Sequence, residues 1–153
     1  MHLALESVDQ PDIIALIDAL DAYQGSLYPP ESNYHLSVAE LKASNVLFSV
    51  MRDDEGVVLA CGAVVLLDGY GELKRMYVNP AQRGRGIAKA IITFLEQEAA
   101  TRDCTVLRLE TGIHQAEALG LYERAGFAQC GPYGDYPNDP LSVFMEKKIS
   151  LPA

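Results

Sequence analysis

In the stretch NPAQRGRGIAKAII, at positions 79 to 92, two glycines and three cations precede an apolar run. The chain has 21 acidic and only 12 basic side chains, yet three of the basic ones lie here: Arg83, Arg85 and Lys89. A glycine turn that leads into a helix exposes backbone N–H groups without partners, and the helix dipole adds positive potential there. Gly84 and Gly86 would let a bulky anion approach the backbone. The stretch therefore predicts a phosphate or pyrophosphate site, with a solvated basic helix start as the open alternative.

Two common phosphate-binding loops do not fit this stretch. A P-loop needs a Lys followed by Ser or Thr after its last glycine, whereas Ile87 and Ala88 follow Gly86. The dinucleotide-binding fingerprint needs a third small residue at a fixed spacing within an all-parallel unit, and GRGIAKA follows a strand that belongs to a hairpin. The predicted anion site is therefore of another kind.

The strand-like segment ELKRMYV, at positions 72 to 78, carries three charges in seven residues. This is unusual for a strand in the middle of a sheet that is covered on both faces. Alternation along a strand predicts two sets of side chains: Glu72, Lys74, Met76 and Val78 on one face, and Leu73, Arg75 and Tyr77 on the other. We expect some of these charges to line a cleft.

Strands and helices follow one another without a linker, which predicts an α+β domain whose sheet is covered by helices. Strands are predicted at 3–8, 46–53, 57–68, 72–78, 105–111, from 127, and at 142–149. Helices are predicted at 12–23, after Asp9 and Pro11, then behind a capping box of Ser37 and Glu40, from Ile87, and at 115–125. The segment at 25–35 is predicted to be a loop. In the first helix, Ile13, Leu16, Ile17 and Leu20 share one face.

Composition excludes several classes of function. The net charge of −9 argues against a nucleic-acid or anionic-membrane surface. There is no apolar run of the roughly 20 residues that a membrane span needs, and the start MHLALESVDQ lacks the features of a secretory signal, so a cytoplasmic protein is expected. Cys61, Cys104 and Cys130 lie far apart and suggest buried thiols rather than disulfides. Glu31 and His35 lie apart from any cysteine, so no metal site is predicted.

Two motifs resemble those of the GCN5-related N-acetyltransferases (GNAT). The acetyl-coenzyme A signature of this family is Arg or Gln, two residues, Gly, one residue, and Gly or Ala, and Arg83, Gly86 and Ala88 match it. The segment ETGIHQAEALGLYERAGF is similar to a helix that ends in Leu-Tyr-x-x-x-Gly-Phe, here Leu121, Tyr122, Gly126 and Phe127. The resemblance covers nearly the whole chain. It implies one domain over residues 1–153 with the GNAT fold, a mixed, mostly antiparallel central sheet covered by helices on both faces.

The resemblance implies acetyl-coenzyme A as co-substrate and direct transfer of its acetyl group to a small amine. The residues expected to hold the co-substrate are Met76, Tyr77, Val78, Arg83, Gly84, Arg85, Gly86, Ile87, Ala88, Lys89, Gln115 and Tyr122. Many members carry Asn where this chain has Gln115, which is expected to contact the pantetheine arm. Tyr122 is expected to protonate the departing sulfur. Glu72 resembles in position a glutamate that several members use as general base, and its alternative role is an ion pair with Lys74 or Arg75.

The acceptor site is expected among polar and aromatic residues in the loops and on neighbouring strands: Tyr28, Tyr34, His35, Lys74, Arg108 and Tyr136. A cation that reaches the cleft would imply a carboxylate on the acceptor, as in an amino acid. Otherwise Lys74, Arg75 and Arg108 pair with Glu72, Glu110 or acidic residues on the surface. His114 is expected to be an ordinary loop residue. Members of the family commonly dimerise through their last strands, so a homodimer is one arrangement that the resemblance allows. The alternative function is a non-catalytic module that binds or senses acyl-coenzyme A.

Overall fold

The computed structural model describes residues 1–32, 34 and 36–150, and His35 therefore lies outside the described residues. Within this part of the chain, the strands are β1 His2–Leu5, β2 Val46–Arg52, β3 Val58–Leu67, β4 Tyr70–Val78, β5 Val106–Gly112, β6 Ala128–Cys130 and β7 Ser142–Lys148. The helices are α1 Pro11–Leu27, α2 Val38–Leu41, α3 Ile87–Ala100 and α4 Ala116–Arg124, with 3₁₀ turns at Pro30–Ser32 and Pro80–Gln82. The strands form one sheet in the order β1-β2-β3-β4-β5-β7-β6.

The predicted α+β class is confirmed, and several elements begin or end at other residues than predicted. Strand β1 ends at Leu5 rather than at residue 8, and α1 continues through Leu27 into the segment predicted to be a loop. Pro11 opens α1, where the missing N–H of proline removes nothing from the helix. The capping box of Ser37 and Glu40 is confirmed, since each side chain accepts a hydrogen bond from the backbone of the other residue.

Helices cover both faces of the sheet, as predicted. The buried residues of α1 are Ile13, Leu16, Ile17 and Leu20. On this face, α1 packs against β2 and β3, with Phe48 and Cys61 in the same apolar cluster. On the other face, Ile87, Ile91 and Leu95 of α3 pack into a second cluster. The sheet is therefore a rigid layer between two cores, as a site on its strands requires.

Strands β4 and β5 run parallel and then separate. Their paired residues are Gly71 with Leu107, Glu72 with Arg108, and Leu73 with Leu109. Strand β4 continues to Val78 and β5 to Gly112, and in the described chain no further pairs join them. The two strands therefore diverge, and the gap between 74–78 and 110–112 is open to a ligand.

A β-bulge interrupts β4, and it overturns part of the predicted alternation. Ala63 pairs with Lys74 and Cys61 with Tyr77, so two residues of β4, Arg75 and Met76, stand opposite one residue of β3. Arg75 takes the left-handed backbone conformation, with φ of 56°. A bulge reverses the facing of the side chains that follow it. As a result Met76 and Val78 pack with Leu73 on the α3 face, and Tyr77 packs on the α1 face.

Among the helices in the described ranges, none combines the length and the apolar character that a membrane crossing needs.

Candidate active site

The N-terminus of α3 presents a backbone surface with no side chain over it. Gly86 caps the helix in the left-handed conformation, with φ of 74°, and no side chain caps the first turn. Gly84 also has a positive φ, 81°. A β-carbon on either glycine would meet no atom within 4 Å. The N–H groups of the first turn therefore face open space, as an anion-binding helix terminus requires.

A groove of about 720 Å³ runs from this helix terminus along β4 to α4. The residues predicted to hold the co-substrate that line it are Met76, Tyr77, Val78, Arg83, Gly84, Gly86, Ile87, Ala88, Lys89, Gln115 and Tyr122. Arg83 and Lys89 are exposed at the end of the groove beside the N-terminus of α3. Arg85 is not among the lining residues, and its guanidinium instead donates to the Gln82 side chain. A cationic helix terminus at one end and the diverging strands at the other fit a long ligand with a phosphorylated head and a narrow arm.

A second cavity, of about 70 Å³, lies where β4 and β5 diverge, and we call it the inner cavity. Its walls come from α1, the segment after α1, β4, β5 and α4: Gln24, Tyr28, Ser32, Tyr34, Leu73, Lys74, Arg75, Met76, Glu110, Thr111, Gly112, Gln115 and Tyr122. Met76, Gln115 and Tyr122 line both the groove and the inner cavity. The two spaces therefore adjoin at these three side chains.

Tyr122 stands at this junction as a buried phenol. It is 7% exposed, and its ring meets that of Phe127 edge to face at 5.9 Å. Burial raises the pKa of Tyr122, and the negative charge of Glu110 raises it further. The hydroxyl is therefore neutral at physiological pH and retains a proton that it can donate.

A hydrogen-bond network holds Gln115 and Tyr28 between β5 and α4. Gln115 Oε1 accepts from the backbone N–H of Gly112 at 3.2 Å and from the hydroxyl of Tyr28 at 3.4 Å. The Tyr28 hydroxyl in turn accepts from the backbone N–H of His114 at 3.1 Å. The rings of Tyr28 and His114 stack at 5.5 Å. Gln115 is thus oriented by its carbonyl oxygen on the wall that both cavities share.

Glu72 and Lys74 form a partly enclosed charge pair on β4. Lys74 Nζ lies 3.7 Å from Glu72 Oε2, which also accepts a 2.7 Å hydrogen bond from the Tyr133 hydroxyl. Lys74 Nζ also donates to the backbone oxygen of Tyr34 at 3.0 Å and to the hydroxyl of Tyr136. Burial lowers the pKa of Lys74, and the charge of Glu72 opposes this. Lys74 lines the inner cavity, whereas Glu72 is not among the residues that line either space.

Arg75 is a buried cation at the bulge of β4. Its side chain is 2% exposed, and Nη2 lies 2.7 Å from Asp21 Oδ1 on α1. Among the described residues, its Nε and Nη1 have no hydrogen-bond partner. The left-handed backbone at Arg75 is sparsely populated by residues other than glycine. The ion pair with α1 helps to hold this conformation, and with it the bulge that redirects Met76.

Two loops meet beside the inner cavity, which Ser32 and Tyr34 line. Asp139 Oδ2 accepts hydrogen bonds from Ser32 Oγ at 2.7 Å and from the Tyr34 hydroxyl at 2.8 Å. These bonds, led by that of Ser32, lower the pKa of Asp139. The hydrogen bond to Asp139 raises the pKa of Tyr34 to about 12. The segment after α1 is therefore joined to the loop before β7 by an ionised carboxylate.

Comparison with known proteins assigns this architecture to a family. The sequence profile of the Acetyltransferase (GNAT) family matches residues 13–127. The chain belongs to the GNAT family. It is 44% identical to an "IAA acetyltransferase" of Azospirillum brasilense over 149 residues, which cover 96% of this chain and 97% of that protein.

Solved GNAT structures share the fold over the full length of the chain. A Klebsiella pneumoniae protein assigned as an acyl-CoA N-acyltransferase has a TM-score of 0.83 and 38% sequence identity, covering 97% of both chains. An aminoglycoside 6′-N-acetyltransferase complexed with coenzyme A has a TM-score of 0.73 and covers 100% of both chains, at 17% identity, which supports the fold alone. The chain is therefore a GNAT-type N-acetyltransferase, and members of this family use an acyl-coenzyme A.

Three residues of the predicted acceptor site line the inner cavity of this GNAT domain: Tyr28, Tyr34 and Lys74. Tyr136 lies beside it, where its ring meets that of Tyr34 at 5.5 Å. Arg108 is not among the lining residues of either space. Its Nε lies 3.3 Å from Glu146 Oε2, and its guanidinium stacks 4.7 Å from the ring centre of Tyr70. Arg108 thus takes the alternative role of pairing with an acidic neighbour.

Sequence reasoning missed several residues that line these spaces, and two of them can ionise. Glu110 was considered only as an ion-pair partner, yet it lines the inner cavity. His114 was expected to be an ordinary loop residue, yet it lines the groove. The alternation of β5 carried a signal for Glu110, because it places Glu110 on the same face as Arg108 beside the charged strand β4.

Proposed function

We propose that this enzyme transfers the acetyl group of acetyl-coenzyme A directly to the primary amine of a small molecule. One observation carries the proposal: Met76, Gln115 and Tyr122 belong both to a groove with a cationic helix terminus and to the polar inner cavity. A donor in the groove and an amine in the inner cavity would meet at these side chains. Such a junction supports direct transfer because it brings the two reactants together without an enzyme-bound acyl group.

The residues of the groove divide into two roles in this proposal. The N-terminus of α3, with Arg83 and Lys89, binds the phosphate groups, because unpaired N–H groups and cations both stabilise negative charge. The end of β4, from Met76 to Val78, holds the pantetheine arm. This part of β4 no longer pairs with β5, so the arm can lie beside its backbone. The co-substrate, when bound, supplies an activated acetyl thioester.

Tyr122 is the proposed proton donor to the departing sulfur. Its buried, neutral hydroxyl at the junction supports this role, since a group that retains its proton in the ground state can release it as a thiolate develops. For Glu72, we propose the structural role, in which its carboxylate holds Lys74 in place. The ion pair and the hydrogen bond from Tyr133 support this choice.

The acceptor that we propose is a small amine, and the inner cavity supports this through its volume of about 70 Å³. Lys74 already donates hydrogen bonds to Tyr34 and Tyr136 and pairs with the carboxylate of Glu72. Its geometry therefore gives no support for a carboxylate on the amine substrate. The cytoplasmic location and the homodimer stay predictions of the sequence.

The experiment that tests this function is a screen for amine-dependent release of free thiol from acetyl-coenzyme A. Amino acids, polyamines, aminoglycosides, short alkylamines and peptide N-termini would serve as acceptors. We expect release above the hydrolysis background with at least one small amine, and an acetylated product of the matching mass. A protein that binds acetyl-coenzyme A but acetylates no amine would instead be the non-catalytic sensing module.

A further inference from the structure

Lys74 is a buried amine on the wall of the inner cavity, and the proposed transfer does not use it. It lies on β4, and its side chain is 12% exposed. Its Nζ donates to the backbone oxygen of Tyr34 at 3.0 Å and to the hydroxyl of Tyr136. The carboxylate of Glu72 lies 3.7 Å from the same atom. The enzyme therefore carries an amine of its own in the space proposed for the amine of the acceptor.

Lys74 also lies close to the junction between the inner cavity and the groove. Met76, which lines both spaces, follows it by two residues on β4. Strand residues rise by about 3.3 Å each, so the two Cα atoms lie within roughly 7 Å of each other. The flexible four-carbon stem of lysine lets Nζ turn from its present partners towards the junction. A thioester held at the junction is thus within reach of this amine.

The other lysines of the chain are placed differently. Lys42, Lys147 and Lys148 are absent from the described lining of both spaces. Lys89 lines the groove, but it lies in the first turn of α3, at the end proposed to hold the phosphate groups. The side chain of Lys42 is 51% exposed, and Lys148 is also exposed. Burial and position therefore both distinguish Lys74.

We propose that Lys74 is a self-acetylation site, which receives the acetyl group of acetyl-coenzyme A bound in the groove of the same molecule when no acceptor is present. This inference rests on the proposed function, because the donor is the same thioester at the same junction. The product is a stable amide rather than an intermediate. Its acetyl group occupies the inner cavity of about 70 Å³, and it removes the cation that pairs with Glu72. Self-acetylation thus switches the enzyme off when the donor is plentiful and the acceptor is scarce.

The surroundings of Lys74 favour the neutral amine that the reaction needs. Burial lowers the pKa of Lys74, because the protein interior penalises the charged form. The charges of Glu72 and Glu110 oppose this lowering of the pKa, and the charge of Arg75 adds to it. A lysine with a lowered pKa is a neutral nucleophile for a larger fraction of the time than an exposed lysine. Position and protonation therefore act in the same direction.

The proton balance of the step starts from the ammonium form of Lys74. The ammonium releases one proton to solvent and becomes a neutral amine with a free electron pair. That pair forms the C–N bond to the acetyl carbon as the C–S bond breaks, and the sulfur leaves with the bonding electrons. The sulfur takes a proton from Tyr122 and becomes a thiol. The nitrogen loses a second proton as the amide forms, and this proton restores the Tyr122 hydroxyl.

The first test follows acetylation of the wild-type protein by mass spectrometry of its peptides, with no amine added. The donor is acetyl-coenzyme A in one arm and acetyl phosphate, which has no coenzyme to bind the groove, in the other. With acetyl-coenzyme A we expect Lys74 to react at least about 10²-fold faster than Lys42, a small part of the gain available when two reactants are held together. With acetyl phosphate we expect the exposed Lys42 and Lys148 to react first. The same order of labelling with both donors would overturn the proposal.

The rate law separates transfer within one molecule from transfer between two. At saturating acetyl-coenzyme A, the rate constant for Lys74 should not change with enzyme concentration, because donor and acceptor belong to the same complex. Tyr122→Phe should lower this rate constant, since the proposed proton donor serves both transfers. Lys42→Arg is the matched control and should acetylate Lys74 as the wild type does. A rate constant that rises with enzyme concentration, or that Tyr122→Phe leaves unaltered, would contradict transfer within the molecule at this junction.

The consequence for turnover is measured with an amine found in the acceptor screen. After preincubation with acetyl-coenzyme A alone, the activity of the wild type should fall in proportion to its acetylated fraction. The amine, when present during preincubation, should protect Lys74. Lys74→Arg keeps the cation but has no neutral amine to acetylate, so its own activity should stay constant over the same preincubation. A wild-type enzyme that is acetylated at Lys74 and fully active would overturn the regulatory role.

The outcomes separate this inference from the proposed function. A wild-type protein that neither binds acetyl-coenzyme A nor releases thiol with any amine contradicts the proposed function itself. A wild-type enzyme that acetylates added amines but never Lys74 overturns only the self-acetylation. A protein that acetylates Lys74 and no added amine supports the self-acetylation and contradicts the small-molecule acceptor.

Discussion

The hydroxyl of Tyr28 lies over Gly112, in space that a β-carbon at position 112 would fill. Gly112 ends β5, and Tyr28 follows α1, so this contact joins two walls of the inner cavity. The absence of a side chain at position 112 is what allows the hydroxyl to reach both Gln115 and the backbone of His114. The shape of the inner cavity therefore depends on this glycine.

Gly112→Ala should displace Tyr28 and break its two hydrogen bonds. We expect a loss of stability of about 1–3 kcal/mol, which is typical of overpacking, together with a higher KM for the acceptor. Gly25→Ala in α1 is the control, because a β-carbon there meets no atom within 4 Å and alanine favours a helix. Thermal melting and acceptor kinetics on the two variants check this. An acceptor KM that Gly112→Ala leaves unchanged would contradict the role of Tyr28.

Gly86→Val should weaken acetyl-coenzyme A binding by about 10–100-fold, the equivalent of about one lost charge-assisted hydrogen bond. Its side chain would cover the N–H groups of the first turn of α3 and would strain a backbone with φ of 74°. Gly56→Val is the control. Gly56 has a φ of 85° in the β2–β3 turn, so valine there causes a similar backbone strain, but the residue lies outside the groove. Calorimetric titration should show weakened binding for position 86 alone. Equal affinities in the two folded variants would exclude the helix terminus as the phosphate site.

Glu72→Gln should reduce stability while leaving the pH–rate profile unaltered in shape. The substitution leaves Lys74 without its anionic partner, and we expect a cost of up to about 3 kcal/mol, or roughly 5–10 °C in the melting temperature. Glu146→Gln, which breaks the exposed pair with Arg108, should change little. A stable Glu72→Gln protein with a flattened acidic limb would instead make Glu72 the base.

Glu110→Gln should have the opposite effect on stability at neutral pH. Burial raises the pKa of Glu110 in the folded protein above the value of the unfolded chain, so the folded state favours the protonated form. At a pH below the pKa that Glu110 has in the unfolded chain, its protonation in the folded state costs no stability. As the pH rises through the higher pKa of the folded protein, the buried carboxyl ionises and the protein loses stability. We expect the variant to melt above the wild type at pH 7 and to approach it near pH 4. A variant that melts below the wild type at pH 7 would show that the charge of Glu110 stabilises the fold.

Local features of the site could be predicted from sequence, and features that depend on strand pairing could not. The glycines and cations before α3 act within a few residues, and the spacing of Ile13, Leu16 and Ile17 fixes the buried face of α1. The bulge at Arg75 depends on the register between β3 and β4, which alternation alone does not contain. The meeting of Glu110 with Ser142 depends on pairing between β5 and β7, 32 residues apart.

The partners of the Arg108 side chain also depend on the pairing of strands that are distant in sequence. The type of the residue made it a candidate for the acceptor site, but its position beside β7 gives it Glu146 as a partner. The ring of Tyr70 covers its guanidinium from the neighbouring strand β4. A charge on a predicted strand thus indicates a site only when the adjoining strands leave it without partners.

The measurement that tests the central claim most directly is the turnover of Tyr122→Phe beside its affinity for acetyl-coenzyme A. The claim is that donor and acceptor meet at Tyr122, whose hydroxyl protonates the sulfur. Phenylalanine preserves the contact with Phe127, so the fold and the groove should survive. We predict that kcat falls by roughly 10²-fold or more while the Kd for acetyl-coenzyme A changes less than about threefold. An unaltered kcat, or a kcat that falls only in proportion to a lost affinity, would contradict the claim.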